Sequence, residues 1–589
     1  MNRRQTILAA AALAAITVLV YLPAMRNGFV WDDREMAIDN PLVKSAGGLG
    51  EIWLGKNLPE YHPLTYSVFW LEWRLWGANP AGWHVINILL HAADVALLWL
   101  VLRKLRVPGS WLAALLFGAH PVCAASAAWI AELKNTLSML FYLAALLFYL
   151  RSGEAGERVD RRWRGAALGA FALALLAKVS VVVLPVVLLL IAWWRGGAIT
   201  RWDLARTIPF FLLAAAAGLC GMTFQNRYTG LNDPLPERLL GGGWAVWFYL
   251  WKILWPVHLT VIYPRWQFGA ARAADWIPAA CFAAMLFVFW RNRRGWGRAC
   301  LFGVGYFVIA LAPVLGVFKM AFLDFSQVAD HLQYLAAPGI IALVVAGGCR
   351  WLPTDWGRVA AVLVVVMFSG LTWRNEGRYA DMGTFWRENL ASNPNSFQAM
   401  IYVGSQADKE KRYAEAEVLF KRVLALRPDS LEGNYNMGVL LDDEGRVDEA
   451  MRFEEKALRI KPDQADAHIL LAWCLAEKGR DEEAMAHLRE AIRYAPEDFR
   501  AHQNLGNLLA KHGRDGEAVQ ELGEVLRLKS DDPAIYVALG FAQGRRGKLA
   551  EAQACFQKAL SLDPANAEAR KGLDAVLQSR TATNAPAGR

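Results

Sequence analysis

The hydrophobic pattern of this chain changes character near residue 383. Upstream, unbroken apolar runs of roughly bilayer-spanning length fall near 5–23, 84–102, 110–128, 133–150, 165–177, 179–194, 207–223, 275–290, 299–317, 335–349 and 359–373, which predicts about eleven membrane spans. A further run at 244–256, WAVWFYLWKILWP, is short and ends in proline, so a re-entrant or interfacial segment is expected there. The first two spans are separated by a long loop, 24–83, in which Trp70, Trp73 and Trp76 recur every three residues. That spacing predicts a short helix lying in the headgroup layer, where indole rings anchor.

Downstream, the period lengthens to 34 residues. Pro394, Pro428, Pro462, Pro496 and Pro564 share one grid, with Ser530 in the remaining slot. Gly404, Gly438, Gly506 and Gly540 mark a small position, where Ala472 substitutes; Gly445, Gly479, Gly513 and Gly547 mark a turn; Ala416, Ala450, Ala484, Ala518 and Ala552 mark a close helix contact. This punctuation predicts tetratricopeptide repeats, paired antiparallel helices stacked into a superhelix with a concave groove. Five repeats and a C-terminal capping helix are expected over 397–578, with a linker helix at 384–396 and a disordered tail at 579–589. Asn436 and Asn504 occupy the same position of the first helix, where a side-chain amide can pair with a bound peptide backbone. An ordinary polar concave surface explains them equally well. The fold class expected is all-α: a polytopic membrane bundle over 1–383 followed by an α-solenoid.

Charge follows this division. Residues 1–383 hold 34 Lys/Arg against 21 Asp/Glu, and residues 384–589 hold 29 against 33, so the net +9 belongs to the apolar half. The basic residues lie in short clusters between apolar runs, which argues for membrane orientation rather than nucleic acid as a partner. With the N-terminus cytoplasmic, the expected inner segments carry 19 Lys/Arg against 13 in outer loops of more than twice the length. The 24–83 loop and the repeats are then outside the membrane. A cleaved signal peptide is the alternative reading of the first span, but cleavage before residue 31 would detach the loop from its helix. The seven Cys show no metal-ligand spacing and read as small core residues.

The candidate chemistry lies on the expected outer face. Asp32 and Asp33 form an acid pair directly after the first span, and such a pair is a helix cap, a solvated turn or a set of working carboxylates. His62, Glu132, Lys134, Lys178, Arg227, Asp330 and His331 share the same membrane boundary, where ionisable groups are costly unless they face water, protein or ligand. An acid among cations at that depth suits transfer from a lipid-linked phosphosugar: the carboxylate takes the acceptor hydroxyl's proton, and the cations steady the departing phosphate. No nucleotide-phosphate loop or hydrolase motif competes with this reading.

The order FVWDD, HPLTY, AWIAELKNTLS, AKVSVVVLP, YLWKILWP and ADHLQYLAAPG, followed by a repeat array, resembles the transmembrane and tetratricopeptide repeat-containing O-mannosyltransferases and their bacterial relatives, of the GT-C glycosyltransferases. The resemblance implies an inverting enzyme of the bacterial cytoplasmic (inner) membrane that moves a sugar, with mannose the sugar of the family name, from a polyprenyl-phosphate donor to Ser/Thr hydroxyls of an extracytoplasmic protein. It places catalysis on Asp32 and Asp33, with Asp32 the general base, and donor-phosphate or substrate binding on Glu132, Lys134 and Lys178; His62, Arg227 and His331 join them as donor-phosphate or substrate-binding candidates from their place at the same boundary. His331 stands where relatives commonly have arginine. A divalent cation, Mg or Mn, on Asp32 or Asp33 is left open as a cofactor. The partners implied are the lipid-linked donor, membrane lipids and an acceptor protein or peptide on the repeats. Two other functions stay in view: joining or polymerising lipid-linked glycans, and a non-enzymatic membrane scaffold for envelope assembly.

Overall fold

Among the described residues, every regular element is a helix. The structure is a computed structural model describing residues 2–55, 58, 60–153, 160–225, 234–269, 272–316, 320–529 and 532–583, in two units, Met1–Ser396 and Phe397–Arg589.

Among the described residues, eight helices of the first unit are long and apolar enough to cross a bilayer: Arg3–Arg26, Pro80–Lys104, Ile130–Arg151, Val179–Gly196, Arg201–Phe224, Ala273–Arg291, Gly297–Val314 and Thr354–Tyr379. The expected run 110–128 is instead two helices, Ser110–Gly118 and Pro121–Ala127, bent by 49°. Pro121 holds the preceding His120 in an extended conformation (ψ 129°), so the helix cannot run straight through. The runs at 165–177 and 335–349 give helices of 17 and 15 residues, Arg161–Ala177 and Ala337–Trp351. All eleven runs are therefore helical, but eight are full spans by length and composition, or nine with the bent pair. All but the last two residues of the 244–256 run lie in a longer helix, Leu235–Leu254, that buries Leu240, Ala245, Val246, Tyr249 and Ile253 along one face and leaves Trp244 and Trp251 exposed.

The 24–83 loop is folded. Pro63, at the first helical position, opens the helix Pro63–Trp76, and Gly77 in a positive-φ conformation ends it. Its tryptophans do more than face lipid. The Arg74 guanidinium stacks on Trp70 at 3.4 Å and donates to the carbonyls of Val43 and Ser45, while Lys44 lies over Trp73. These contacts fasten the helix Pro41–Lys44 to Pro63–Trp76, and Trp53 Nε1, donating to the Ser67 hydroxyl at 3.1 Å, fastens Gly48–Trp53 to it as well. On the opposite face, the Thr65 hydroxyl donates to the Ala177 carbonyl at 3.0 Å. The segment 384–396, expected as a linker, packs into the first unit as part of helix Met382–Ser392: Phe385 and Trp386 meet Trp31, and Asn393 donates to the Ile262 carbonyl.

The second unit contains five helix pairs, starting at Phe397–Lys409 with Tyr413–Leu426 and ending at Pro533–Arg545 with Leu549–Leu562, then a last helix Ala567–Thr583. Residues 579–583 of the expected tail are thus helical, while 584–589 lie outside the described residues. The five grid alanines are fully buried. A Cβ on Gly506 would meet the Leu522 side chain at 2.8 Å, and one on Gly540 would meet Phe556 at 2.7 Å, so the small position is set by helix approach. Gly445, Gly479, Gly513 and Gly547 turn at φ 71–74°, and Lys411 fills the same slot of the first repeat at φ 60°.

Candidate functional site

The acid pair is positioned by a strained turn. After the first span, the Gly28 amide donates to the Ala380 carbonyl and Asn27 Nδ2 donates to the Glu376 carbonyl, tying the chain to the end of the last span. Trp31 then adopts φ 36°, a costly conformation for a bulky residue. Its ring is held among Trp129, Phe322, Phe325, Phe385 and Trp386, with Trp129 stacked at 5.7 Å. This aromatic cage offsets the strain, and the turn sends the two acids to different surroundings.

Asp33 is wholly buried, and both of its oxygens are engaged. The Val30 amide donates to Oδ2 at 2.8 Å and the Ala131 amide to Oδ1 at 2.6 Å. Burial pushes its carboxyl well above the ordinary range, against the pull of these two donors. Asp33 therefore acts as a clamp between the first outer loop and the segment leading to Glu132. Asp32 is half-buried and its carboxylate makes no hydrogen bond among the described residues. Burial raises its pKa from 3.8 to about 7; the Lys134 ammonium pulls it down, and Glu132, Glu60 and Glu35 push it up.

Beside Asp32 lies a compact charged cluster. Glu132 is at its centre, 2% exposed at the side chain, with Oε1 3.4 Å from Lys134 Nζ and 3.9 Å from His331 Nε2, and Oε2 3.8 Å from Lys178 Nζ. Asn135 donates to Glu132 Oε2 at 2.6 Å and accepts from Lys178 Nζ at 2.6 Å. Lys178 reaches inward because the chain is extended there (φ −158°, ψ 126°) between two helical segments. Glu60 closes the other side, 4.0 Å from Lys134 Nζ and 3.0 Å from His62 Nε2. Although burial pushes Glu60 upward, Lys134 and His62 hold it below the usual carboxylate range. Burial lowers His331 to about 4, so its ring is neutral at pH 7, edge-on to Trp129 and Phe322.

Asp32, Asp33, His62, Glu132, Lys134, Lys178 and His331 are thus brought together. Arg227 lies outside the described residues. Asp330 adjoins the cluster but accepts from the Tyr263 hydroxyl at 2.9 Å. Glu60 and Asn135 belong to the site and were not anticipated; the only sequence signal for Glu60 is an acid two residues before His62. In the repeats, Asn436 accepts from the Ser405 hydroxyl and donates to the Glu432 carbonyl, so its amide is already engaged. Asn504 is half-buried. Among the described residues no three His, Cys, Asp or Glu side chains converge as metal ligands. With both Asp33 oxygens held by backbone amides, the donor set does not fit a protein-caged divalent cation.

Residues 409–453, 443–503, 479–540 and 533–566 match tetratricopeptide-repeat family models. Curated relatives include human protein O-mannosyl-transferase TMTC1, 33% identical over 25% of this chain and 18% of its own, and human protein O-mannosyl-transferase TMTC4, 28% identical over 28% of this chain and 26% of its own. A Caenorhabditis elegans protein O-mannosyl-transferase is 27% identical over 24% of this chain and 23% of its own. The matched stretches span about a quarter or less of each relative. Solved structures similar to the repeats include the tetratricopeptide-repeat protein YrrB (18% identity, 32% of this chain, 97% of that one, TM-score 0.29). Another is a repeat protein of Thermus thermophilus (26% identity, 31% and 99%, TM-score 0.25). The chain is a helical membrane protein with tetratricopeptide repeats, similar to protein O-mannosyl-transferases.

Proposed function

We propose that this protein is an inverting GT-C-type glycosyltransferase that moves a sugar, mannose by likeness to its relatives, from a polyprenyl-phosphate donor to Ser/Thr hydroxyls of a protein acceptor. The observation that carries the reading is Asp32: a carboxylate with no hydrogen-bond partner among the described residues, pushed to about 7, beside a built ammonium cluster. A base titrating near the working pH combines availability with driving force for proton transfer. As the acceptor oxygen attacks the anomeric carbon, Asp32 takes its proton. The bond from that carbon to the phosphate oxygen breaks, and its electron pair leaves with the phosphate. Lys134 and Lys178, held by Glu132 and Asn135, stabilise the charge that develops on the phosphate, and neutral His331 offers it a ring N–H.

The loop 24–83 and the repeats lie on the extracytoplasmic side of a bacterial inner membrane in this reading, where the repeats present the acceptor; the excess of positive charge in the opposite loops supports that orientation. A scaffold would leave unexplained why four charged side chains, Glu60, Glu132, Lys134 and Lys178, are gathered at a membrane boundary at considerable desolvation cost. The test is reconstitution of the purified protein in liposomes with polyprenyl-phosphate mannose and Ser/Thr-containing envelope proteins, with acceptors read by mass spectrometry. Hexose on Ser or Thr is expected. Consumption of the donor with product only on lipid-linked glycan would replace this reading with the glycan-joining one.

A further inference from the structure

Away from the acid pair, the first unit contains an apolar cleft of about 1050 Å³. Leu102, Leu143, Leu146, Tyr306 and Ala342 line it, and Arg106 and Arg350 lie at its mouth. The two arginines share one junction. A Cβ on Gly109 would meet Val345 at 2.6 Å and Cys349 Sγ at 2.7 Å, so the turn after Arg106 sits against the end of the helix carrying Arg350. Neighbouring cations have other work: Arg103 donates to the Thr6 hydroxyl, and Arg298 to the carbonyls of Trp193 and Trp194. The side chains of Arg106 and Arg350 are exposed and make no hydrogen bond or ion pair among the described residues, and no acid lines the cleft. Trp194, Trp296 and Trp351 surround the mouth, as indoles do at a lipid–water boundary.

The depth of this mouth excludes the sugar donor's phosphate. Asn87 is level with the charged cluster, donating to the Trp129 carbonyl and accepting from Thr136. From Asn87 to Lys104, 17 residues on in the same helix, the axis advances about 25 Å, most of a hydrocarbon core of roughly 30 Å. A phosphate at Arg106 and Arg350 is thus in the leaflet opposite the one serving Asp32.

We propose that the cleft seats an acidic diacyl phospholipid of that opposite leaflet, its chains along the apolar wall and its phosphate between Arg106 and Arg350. Guanidinium pairs suit phosphate geometrically, and an apolar trough with a cationic mouth matches an amphiphile with an anionic head. The site is independent of the transfer reaction, and its failure leaves the Asp32 reading intact.

The test uses the full chain in nanodiscs of phosphatidylcholine alone or with phosphatidylglycerol, read by native mass spectrometry for retained lipid and by thermal melting. Retained phosphatidylglycerol and a midpoint rise of roughly 3 °C over phosphatidylcholine are expected for the parent. Both should vanish in the Arg106→Gln, Arg350→Gln double variant and return in the Arg106→Lys, Arg350→Lys pair. Equal retention by the glutamine variant overturns the proposal. So does equal retention of phosphatidylcholine, or displacement of phosphatidylglycerol by added polyprenyl phosphate, which would assign the cleft to the donor's tail.

Discussion

Substituting Asp33 by Asn separates the two acids by their structural roles. Asp33 accepts two backbone amides, from Val30 and Ala131, at 2.8 and 2.6 Å in a fully buried position. A side-chain amide has only one oxygen, so its NH2 group must face one of those N–H donors. One bond is lost and a buried donor is left unsatisfied, at a cost of ~1–3 kcal/mol. Asp33→Ala strands both amides and costs about twice that. The Asp32 carboxylate makes no hydrogen bond among the described residues, so Asp32→Asn, nearly isosteric, is expected to cost less than ~0.5 kcal/mol. With roughly 2–4 °C per kcal/mol for domains of moderate size, the melting order should be Asp32→Asn at or above the parent, because the buried charge is removed, Asp33→Asn several degrees below the parent, and Asp33→Ala lower again. The assay is thermal unfolding of purified protein in one detergent at one pH, followed by intrinsic fluorescence. An Asp33→Asn midpoint equal to the parent's, or an Asp32→Asn midpoint as low as that of Asp33→Asn, would refute the clamp.

Transfer activity should rise with pH through about 7, because the base must be ionised and burial raises Asp32 to about that value; a rate flat from pH 5.5 to 8 would count against it. For stability the same group has the opposite sign. Between 3.8 and about 7 the folded state holds a proton that the unfolded chain releases, so this residue's contribution falls as pH rises through that window. Glu132→Gln leaves Lys134 and Lys178 without their shared carboxylate and should destabilise by ~3–5 kcal/mol, lowering the thermal midpoint even in the absence of substrate. In residues 397–589 expressed alone, which should fold as a soluble helical array, Lys411→Gly removes a left-handed lysine and should stabilise by about 0.5–1 kcal/mol in urea unfolding.

The repeats were legible because each mark on the 34-residue grid answers to one contact: a glycine where Leu522 or Phe556 comes close, another glycine where φ is positive, an alanine with no room around it. Lys411 shows the turn surviving without its glycine. The apolar runs located the membrane helices, but hydropathy carries no record of where a helix breaks. The extended backbone at Lys178, which turns its ammonium toward Glu132, and the bend before Pro121 came only with the structure. Glu60 was missed because its partners Lys134 and Lys178 are more than seventy residues away and no local period links them. The site role of residues 384–396 was hidden for a related reason. Phe385 and Trp386 read as part of a linker helix until Trp31, 354 residues earlier than Phe385, is seen against them. The acid pair was visible, yet its division of labour depends on the positive φ of Trp31 and on the Ala131 amide.

The most direct test of the central claim compares sugar transfer by purified Asp32→Asn and parent protein, reconstituted at equal density with the same polyprenyl-phosphate donor and acceptor protein. Loss of a positioned general base removes about 10²–10⁴ of the rate. The account predicts a fall of that size with a melting midpoint no lower than the parent's and unchanged helix content. Transfer by Asp32→Asn within a few-fold of the parent would contradict it.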